Sequence, residues 1–295
     1  MFPTMVFGQM TYKLPLPIER INKDICPMHH YRAVFDCFPE SLDKIMERRT
    51  AYAEMIIEID RQIGRILECL ESADIMDNTT IIFSSDHGDL LGDFNLNAKG
   101  PFPYHGQLAV PLIMSNHPGI APWTRSASLV GNIDIPGTVL DIAGADRSIG
   151  VSRSLIDQAQ KYPEHPREVN FSEHADAIKI VENKKYRFCY YPFLNFSELF
   201  DRENDPKEQV NLAGKLEYVT IENEFLRHII DFAAVCKGIE IPAYDFVPEQ
   251  QAGVRKKVPD FERDFKVAFP LKELHIKRLK NAGLSTDYNE FCKKK

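Results

Sequence analysis

Asp86 and His87 stand side by side, and Gly88 follows them where the chain can turn sharply. A carboxylate oxygen and an imidazole nitrogen placed this way can be neighbouring ligands of one divalent ion. The same pair can instead form a hydrogen-bonded loop that caps a following helix. Two side chains do not complete a calcium or magnesium site, which takes about six ligands, mostly oxygens. Asp89 and Asp93 are nearby candidates, Asp93 more readily as a stabiliser of the loop or of a short helix start. Lys99 comes six positions after Asp93 and is followed by Gly100, Pro101 and Phe102. A lysine on so stiff a loop suits a point charge aimed at an anionic ester; taken alone, it reads more readily as a solvated surface lysine. His105, farther along the same loop, is a candidate to reach the same site.

These residues need elements to position them. Tyr52, Met55, Ile56, Ile59, Ile63, Ile66, Leu67 and Leu70 recur at three- and four-residue intervals, which predicts a helix with one apolar stripe. Residues 74–78 are a turn cluster, and residues 79–83 (TTIIF) predict a short, buried strand. Helix, turn, apolar strand and polar loop in that order belong to an α/β sheet, whose ligands gather outside the carboxyl ends of the strands. The Asp86–His87 pair falls at such an end. Residues 110–114 predict a second strand, with Pro111 marking an edge or a strand start. Residues 132–145 have helical spacing, with Gly144 as its stop.

Beyond about residue 167 the pattern changes. Residues 169–173, 177–182, 186–191 and 198–201 predict short strands of a small antiparallel sheet, and residues 216–236 predict a helix. Residues 1–48 read as irregular because Pro3, Pro15, Pro17, Pro27 and Pro39 interrupt any period. The tail from 240 is rich in Lys, Glu and Pro. The expected division is 1–165, carrying the polar loop, and 166–295, the small sheet with its helix and tail.

The formal charge of −7 over 295 residues argues against nucleic-acid binding, which usually needs a basic face. It leaves room for an anionic substrate, because a metal and a few cations can reverse the local field. Cys26, Cys37, Cys69, Cys189, Cys236 and Cys292 form no C-x-x-C pair, so reduced thiols in a cytoplasmic protein are expected. No stretch approaches the roughly 20 apolar residues of a spanning helix, and no membrane partner is expected.

The run SSDHGDLLGD at 84–93, with KGPFPY at 99–104 and VPLIM at 110–114, closely resembles the sulfatase family of the alkaline-phosphatase superfamily. Residues 52–70 resemble that family's helix before the metal-loop strand. Residues 133–144 (IDIPGTVLDIAG) are similar to its following helix, and residues 198–213 (ELFDRENDPKEQVNLA) to its closing segment. The resemblance implies an α/β fold, part of an alkaline-phosphatase-like sheet flanked by helices, plus a small C-terminal antiparallel-sheet subdomain. It implies hydrolysis of sulfate monoesters by a formylglycine nucleophile beside a divalent cation, Ca2+ by family default, with Mn2+ or Mg2+ as alternatives. Asp86 and His87 would ligate that cation. Lys99 would bind a sulfate oxygen and offset charge on the bridging oxygen. Many family members carry Asn at the second ligand position; those with His include relatives acting on phosphonate and phosphate esters.

The family's nucleophile motif, C-x-P-x-R, is not present. Residues 37–41 (CFPES) mimic its first three places, but Ser41 stands where arginine is needed, and the segment around Cys26 fits no better. The paired aspartates of the family's first strand are missing too, and Ala109 replaces the arginine that usually precedes V-P. His29 and His30 stand where a leaving-group histidine would be sought, although nothing around them matches; His174 reads as structural. The sequence therefore predicts a C-terminal portion of a sulfatase-like hydrolase with an incomplete site. An inactive binding protein of the same lineage is the alternative. Expected partners are an anionic sulfate-ester substrate, and either a complementing N-terminal segment or further copies of the chain.

Overall fold

The computed structural model describes residues 41–100, 102–146, 150–161, 166–174, 178–192, 196–236 and 273–281. Cys26, His29, His30, Cys37 and Cys292 lie outside them.

Residues 41–48, expected to be irregular, instead open a helix capped by Ser41. Its side chain accepts the Lys44 N–H at 3.5 Å, and helix α1 runs Leu42–Ser72 with Asp43 in its first turn. The 3.6-residue pattern forms the helix as expected, but the stripe is not a buried one among the described residues. Met55, Ile59 and Ile66 are each more than half exposed, and only Ile45 and Arg49 are buried. Those two lie at the N-terminal end because that end packs against the polar loop. Ile45 fills the space beside Gly92, whose φ of 94° suits a residue without Cβ. Arg49 donates from Nε to the Leu91 carbonyl at 2.7 Å and pairs with Asp93 at 3.1 Å.

Strand β1 (Ile81–Ser84) follows a 3-10 turn at Met76–Asn78. It pairs antiparallel with β2 (Leu112–Ser115), which begins just after Pro111. The buried strand expected here is half-buried instead. Phe83 and Ile113 are cross-strand partners, and both are exposed among the described residues. Between the strands lie a 3-10 turn at Asp93–Asn95 and the short helix α2 (His105–Leu108). Helix α3 (Ile135–Ile142), entered through a 3-10 turn at Asn132–Asp134, and helix α4 (Leu155–Lys161) follow. Gly144, at φ 66°, lies just past the end of α3, the stop that the sequence predicts.

Strands β3 (Asn170–His174), β4 (Ile178–Glu182), β5 (Tyr186–Tyr191) and β6 (Phe196–Asp201) form one antiparallel sheet in sequential order. Helix α5 (Val219–Cys236) packs on it. Val181, Phe188, Leu199 and Phe225 make the centre of that core, where each large side chain contributes about 1.5–3 kcal/mol by leaving water. Phe171 stacks on Phe232 at 4.2 Å. Helix α6 (Glu273–Asn281) buries Leu279. Polar ties cross the expected boundary near residue 165, among them the ion pair of Arg167 with the fully buried Asp134 and the His105 N–H that donates to Glu208 at 2.9 Å. Among the described residues no helix is long and apolar enough to cross a membrane.

Candidate active site

The loop after β1 is polar at its tip and apolar at its root. Leu90, Phe94, Leu96, Phe102 and Tyr104 are all buried. Phe94 lies 4.2 Å from Tyr104, whose ring meets Phe200 of β6 edge-on at 6.3 Å. This miniature core anchors a backbone with φ positive at Leu91, Phe94, Asn95 and Ala98. Left-handed conformation disfavours residues with a Cβ by roughly 1–2 kcal/mol each, so packing rather than local preference sets the loop's shape. Gly88 is required by close approach: a Cβ there would run into the Gly106 carbonyl oxygen.

On this base the structure brings together Asp86, His87 and Lys99. His87 Nε2 lies 3.3 Å from Asp86 Oδ2 and 3.0 Å from Lys99 Nζ. The other ring nitrogen, Nδ1, is 2.9 Å from the Gly88 carbonyl oxygen. A carbonyl can only accept, so Nδ1 carries the proton and Nε2 presents its lone pair. The Lys99 ammonium donates to that lone pair. The His87 backbone N–H donates to Asp86 Oδ1 at 2.9 Å. That bond first, and the Lys99 charge after it, hold the Asp86 carboxyl below its ordinary pKa, so it is ionised at neutral pH.

Below the pair, Ser84 donates from Oγ to Asn132 Oδ1 at 2.7 Å, and Asn132 Nδ2 donates to the Ser85 carbonyl at 2.7 Å. Asn132 thus stitches the strand end to the turn before α3. Neither it nor Gln107, which binds both sides of the loop, was singled out by residue type or spacing. The only hint of Asn132 was its place at the head of the 132–145 helical segment.

Asp89 and Asp93 are engaged in holding the loop: Asp89 Oδ1 accepts the Leu91 N–H at 2.9 Å, and Asp93 pairs with Arg49. Among the described residues no hydrogen bond or ion pair links His105 to Asp86, His87 or Lys99. Desolvation, then the positive charges of Arg187 and Arg202, hold the His105 pKa below the ordinary value, with Glu182 and Asp93 acting against them. His174 lies on β3, where desolvation also lowers its pKa. Cys69 and Cys189 are free thiols, Cys189 buried and pushed well up in pKa by that burial.

An anionic carboxylate and an imidazole lone pair 3.3 Å apart are a donor set suited to one divalent cation. Among the described residues no third His, Cys, Asp or Glu joins them. The donors present fit part of a coordination shell. A single ammonium beside them supplies positive charge for an anion.

The Sulfatase family model matches residues 18–145, and the model for the C-terminal part of N-sulphoglucosamine sulphohydrolase matches residues 98–234. An arylsulfatase of Clostridium perfringens is 33% identical over 190 residues, covering 62% of this chain and 39% of that protein. A choline-sulfatase of Rhizobium meliloti is 32% identical over 203 residues, covering 63% and 38%. The chain thus spans about two-fifths of the length of these relatives. Among solved structures, one from Bacteroides thetaiotaomicron described as that of a sulfatase superposes with a TM-score of 0.64 at 22% identity, covering 76% of this chain and 53% of that one. A phosphonate monoester hydrolase from Silicibacter pomeroyi gives 0.59 at 20%, covering 78% and 52%. At such identities the likeness is one of fold, and it is the alkaline-phosphatase-like fold with a C-terminal antiparallel sheet that the sequence predicts.

Proposed function

Because the chain belongs to the sulfatase family of the alkaline-phosphatase superfamily, we propose that it carries the metal-and-anion half of a site that hydrolyses sulfate monoesters. The observation behind this reading is the meeting of Asp86, His87 and Lys99 at one strand end. Asp86 and His87 would hold a divalent cation, Ca2+ by family habit and Mn2+ or Mg2+ otherwise, which would act as a Lewis acid on the ester. Lys99 turns from the imidazole to a sulfate oxygen and offsets the charge that grows on the bridging oxygen. The nucleophile is supplied from outside the described residues. His105, on the short helix that follows the same loop, is the further candidate for this site, with Asp93 of the loop among the charges that act on it. A cytoplasmic location belongs to the same proposal and agrees with the free Cys69 and Cys189.

His87 in the second ligand position favours one variation, a phosphonate or phosphate ester as substrate. A relative from Trinickia caryophylli, described as a multifunctional alkaline phosphatase superfamily protein, is 25% identical over 216 residues. Turnover of an aryl sulfate against an aryl phosphonate, with Ca2+ or Mn2+ added, separates the two. Asp86→Ala and Lys99→Ala should each lower whichever activity is found by about a hundredfold or more. Activity untouched by either substitution would refute the scheme. No turnover, with cation and sulfate binding retained, would indicate a binding protein instead.

A further inference from the structure

Gln107 is a buried side chain that ends on the main chain of the site loop. Its Oε1 accepts the Gly100 N–H at 3.2 Å, and its Nε2 donates to the Gly100 carbonyl. A primary amide carries one acceptor and two donors in a single plane, so it can answer both polar groups of one residue. The main-chain carbonyl of the same Gln107 accepts the Gly88 N–H at 2.7 Å. Gly100 adjoins Lys99, and Gly88 adjoins His87.

The residue is itself fixed from behind. The Gln107 N–H donates to the Tyr104 carbonyl at 3.0 Å, and Tyr104 is fully buried between Phe94 and Phe200. One position earlier than Gly106, the His105 N–H donates to the buried Glu208. The turn bearing Gln107 is therefore held by the C-terminal sheet, while Gln107 holds both shoulders of the site.

We propose that Gln107 is a positioning residue for the anion-binding role assigned above. It sets the separation of the main chain at Lys99 and at His87, so that ammonium and imidazole address one ligand together. The identity of the ligand rests on that functional reading; the clamp does not.

Two measurements on the full chain keep the clamp and the functional reading apart: residue-resolved amide hydrogen exchange, and affinity for inorganic sulfate by calorimetry. In Gln107→Met, which keeps volume and removes the amide, exchange at Gly100 is expected to accelerate by about tenfold or more while Gly88 and the Val181–Phe188 core stay protected. Sulfate affinity should fall by about tenfold, and adding Lys99→Ala should lower it little further. Unchanged exchange at Gly100 overturns the clamp. Faster exchange at Gly100, with sulfate affinity intact in Gln107→Met but lost in Lys99→Ala, overturns the positioning role. Loss of protection at Gly88 as well would mean that α2 has melted, and positioning by the side chain falls with it. If the unsubstituted chain binds no sulfate, the functional reading fails and exchange alone judges the clamp. Should Gln107→Met not fold, Gln107→Ala also removes the acceptor of the Gly100 N–H, with the same exchange outcomes decisive.

Discussion

Replacing Glu208 should be among the most damaging single changes outside the apolar core. Arg187 and Glu208 are each about 2% exposed and ion-paired, and Glu182 lies 2.7 Å from the other arm of the guanidinium. Burial opposes the charge on Arg187, but Glu208 and Glu182 outweigh it and hold its pKa above the ordinary value. A guanidinium is not deprotonated in proteins, so Arg187 stays charged in Glu208→Ala. Glu208→Ala leaves that charge buried with one partner instead of two and takes the acceptor from the His105 N–H. Breaking a buried pair costs about 3–5 kcal/mol, and the orphaned N–H belongs to the same order at about 1–3 kcal/mol. The two overlap, so about 4 kcal/mol is expected. With a urea slope of about 2 kcal/mol/M, the midpoint should drop by about 2 M.

The backbone supplies an internal control. Glu208 sits at φ 55°, where glycine is free of the roughly 1–2 kcal/mol that a Cβ incurs. Glu208→Gly should therefore be less damaging than Glu208→Ala by about 1 kcal/mol, the reverse of the usual order. Pairing Glu208→Ala with Arg187→Met should cost no more than Glu208→Ala alone, since no guanidinium then remains buried. Urea titration followed by far-ultraviolet circular dichroism reads all three. A loss below about 1 kcal/mol for Glu208→Ala, or a glycine variant less stable than the alanine one, would refute the reasoning.

Gly88→Ala should cost about 1–3 kcal/mol by overpacking against the Gly106 carbonyl, and should weaken divalent-cation binding, as thermal melts and calorimetry would show. Asn132→Ala removes the acceptor of Ser84 and the donor to Ser85; a loss of about 1–3 kcal/mol is expected from chemical denaturation. His174 has a folded pKa depressed below 6.5 by desolvation, so the unfolded chain binds more protons below that pH. Its contribution to stability is present above 6.5 and is lost as pH falls through the folded value. Replacing His174 with Gln should flatten the fall of the melting temperature between neutral pH and pH 5.

Short-range pattern carried much of this fold. Residues 186–191, set between turn residues, predict a strand, and β5 occupies Tyr186–Tyr191. The 132–145 segment and Gly144 gave α3 and its stop because period and terminator are both local. Ser41 followed by Asp43 was a legible cap, yet five upstream prolines masked it. The exposure of Met55 and Ile66 was not legible, since a 3.6-residue period says that a stripe exists and not what covers it. In the site, Asp86, His87 and Lys99 were candidates by type that the family resemblance tied together, and the structure brings them side by side. Glu208, 103 positions from the His105 N–H it accepts, was not legible. Nor was Gln107, whose role depends on a carbonyl direction that no residue type encodes.

The buried root of the loop bears on traffic through the site. Lys99 is carried by a segment whose Phe94 and Leu96 are buried and whose neighbour Tyr104 is wedged against Phe200. Swinging that segment aside would uncork these aromatic groups together, so it makes a poor lid. An anion would have to arrive and depart past a stationary post. Its residence time would then depend on how fast the flexible lysine stem lets go, not on a door opening. Any gate over this strand end has to be built from other parts of the chain or its partners.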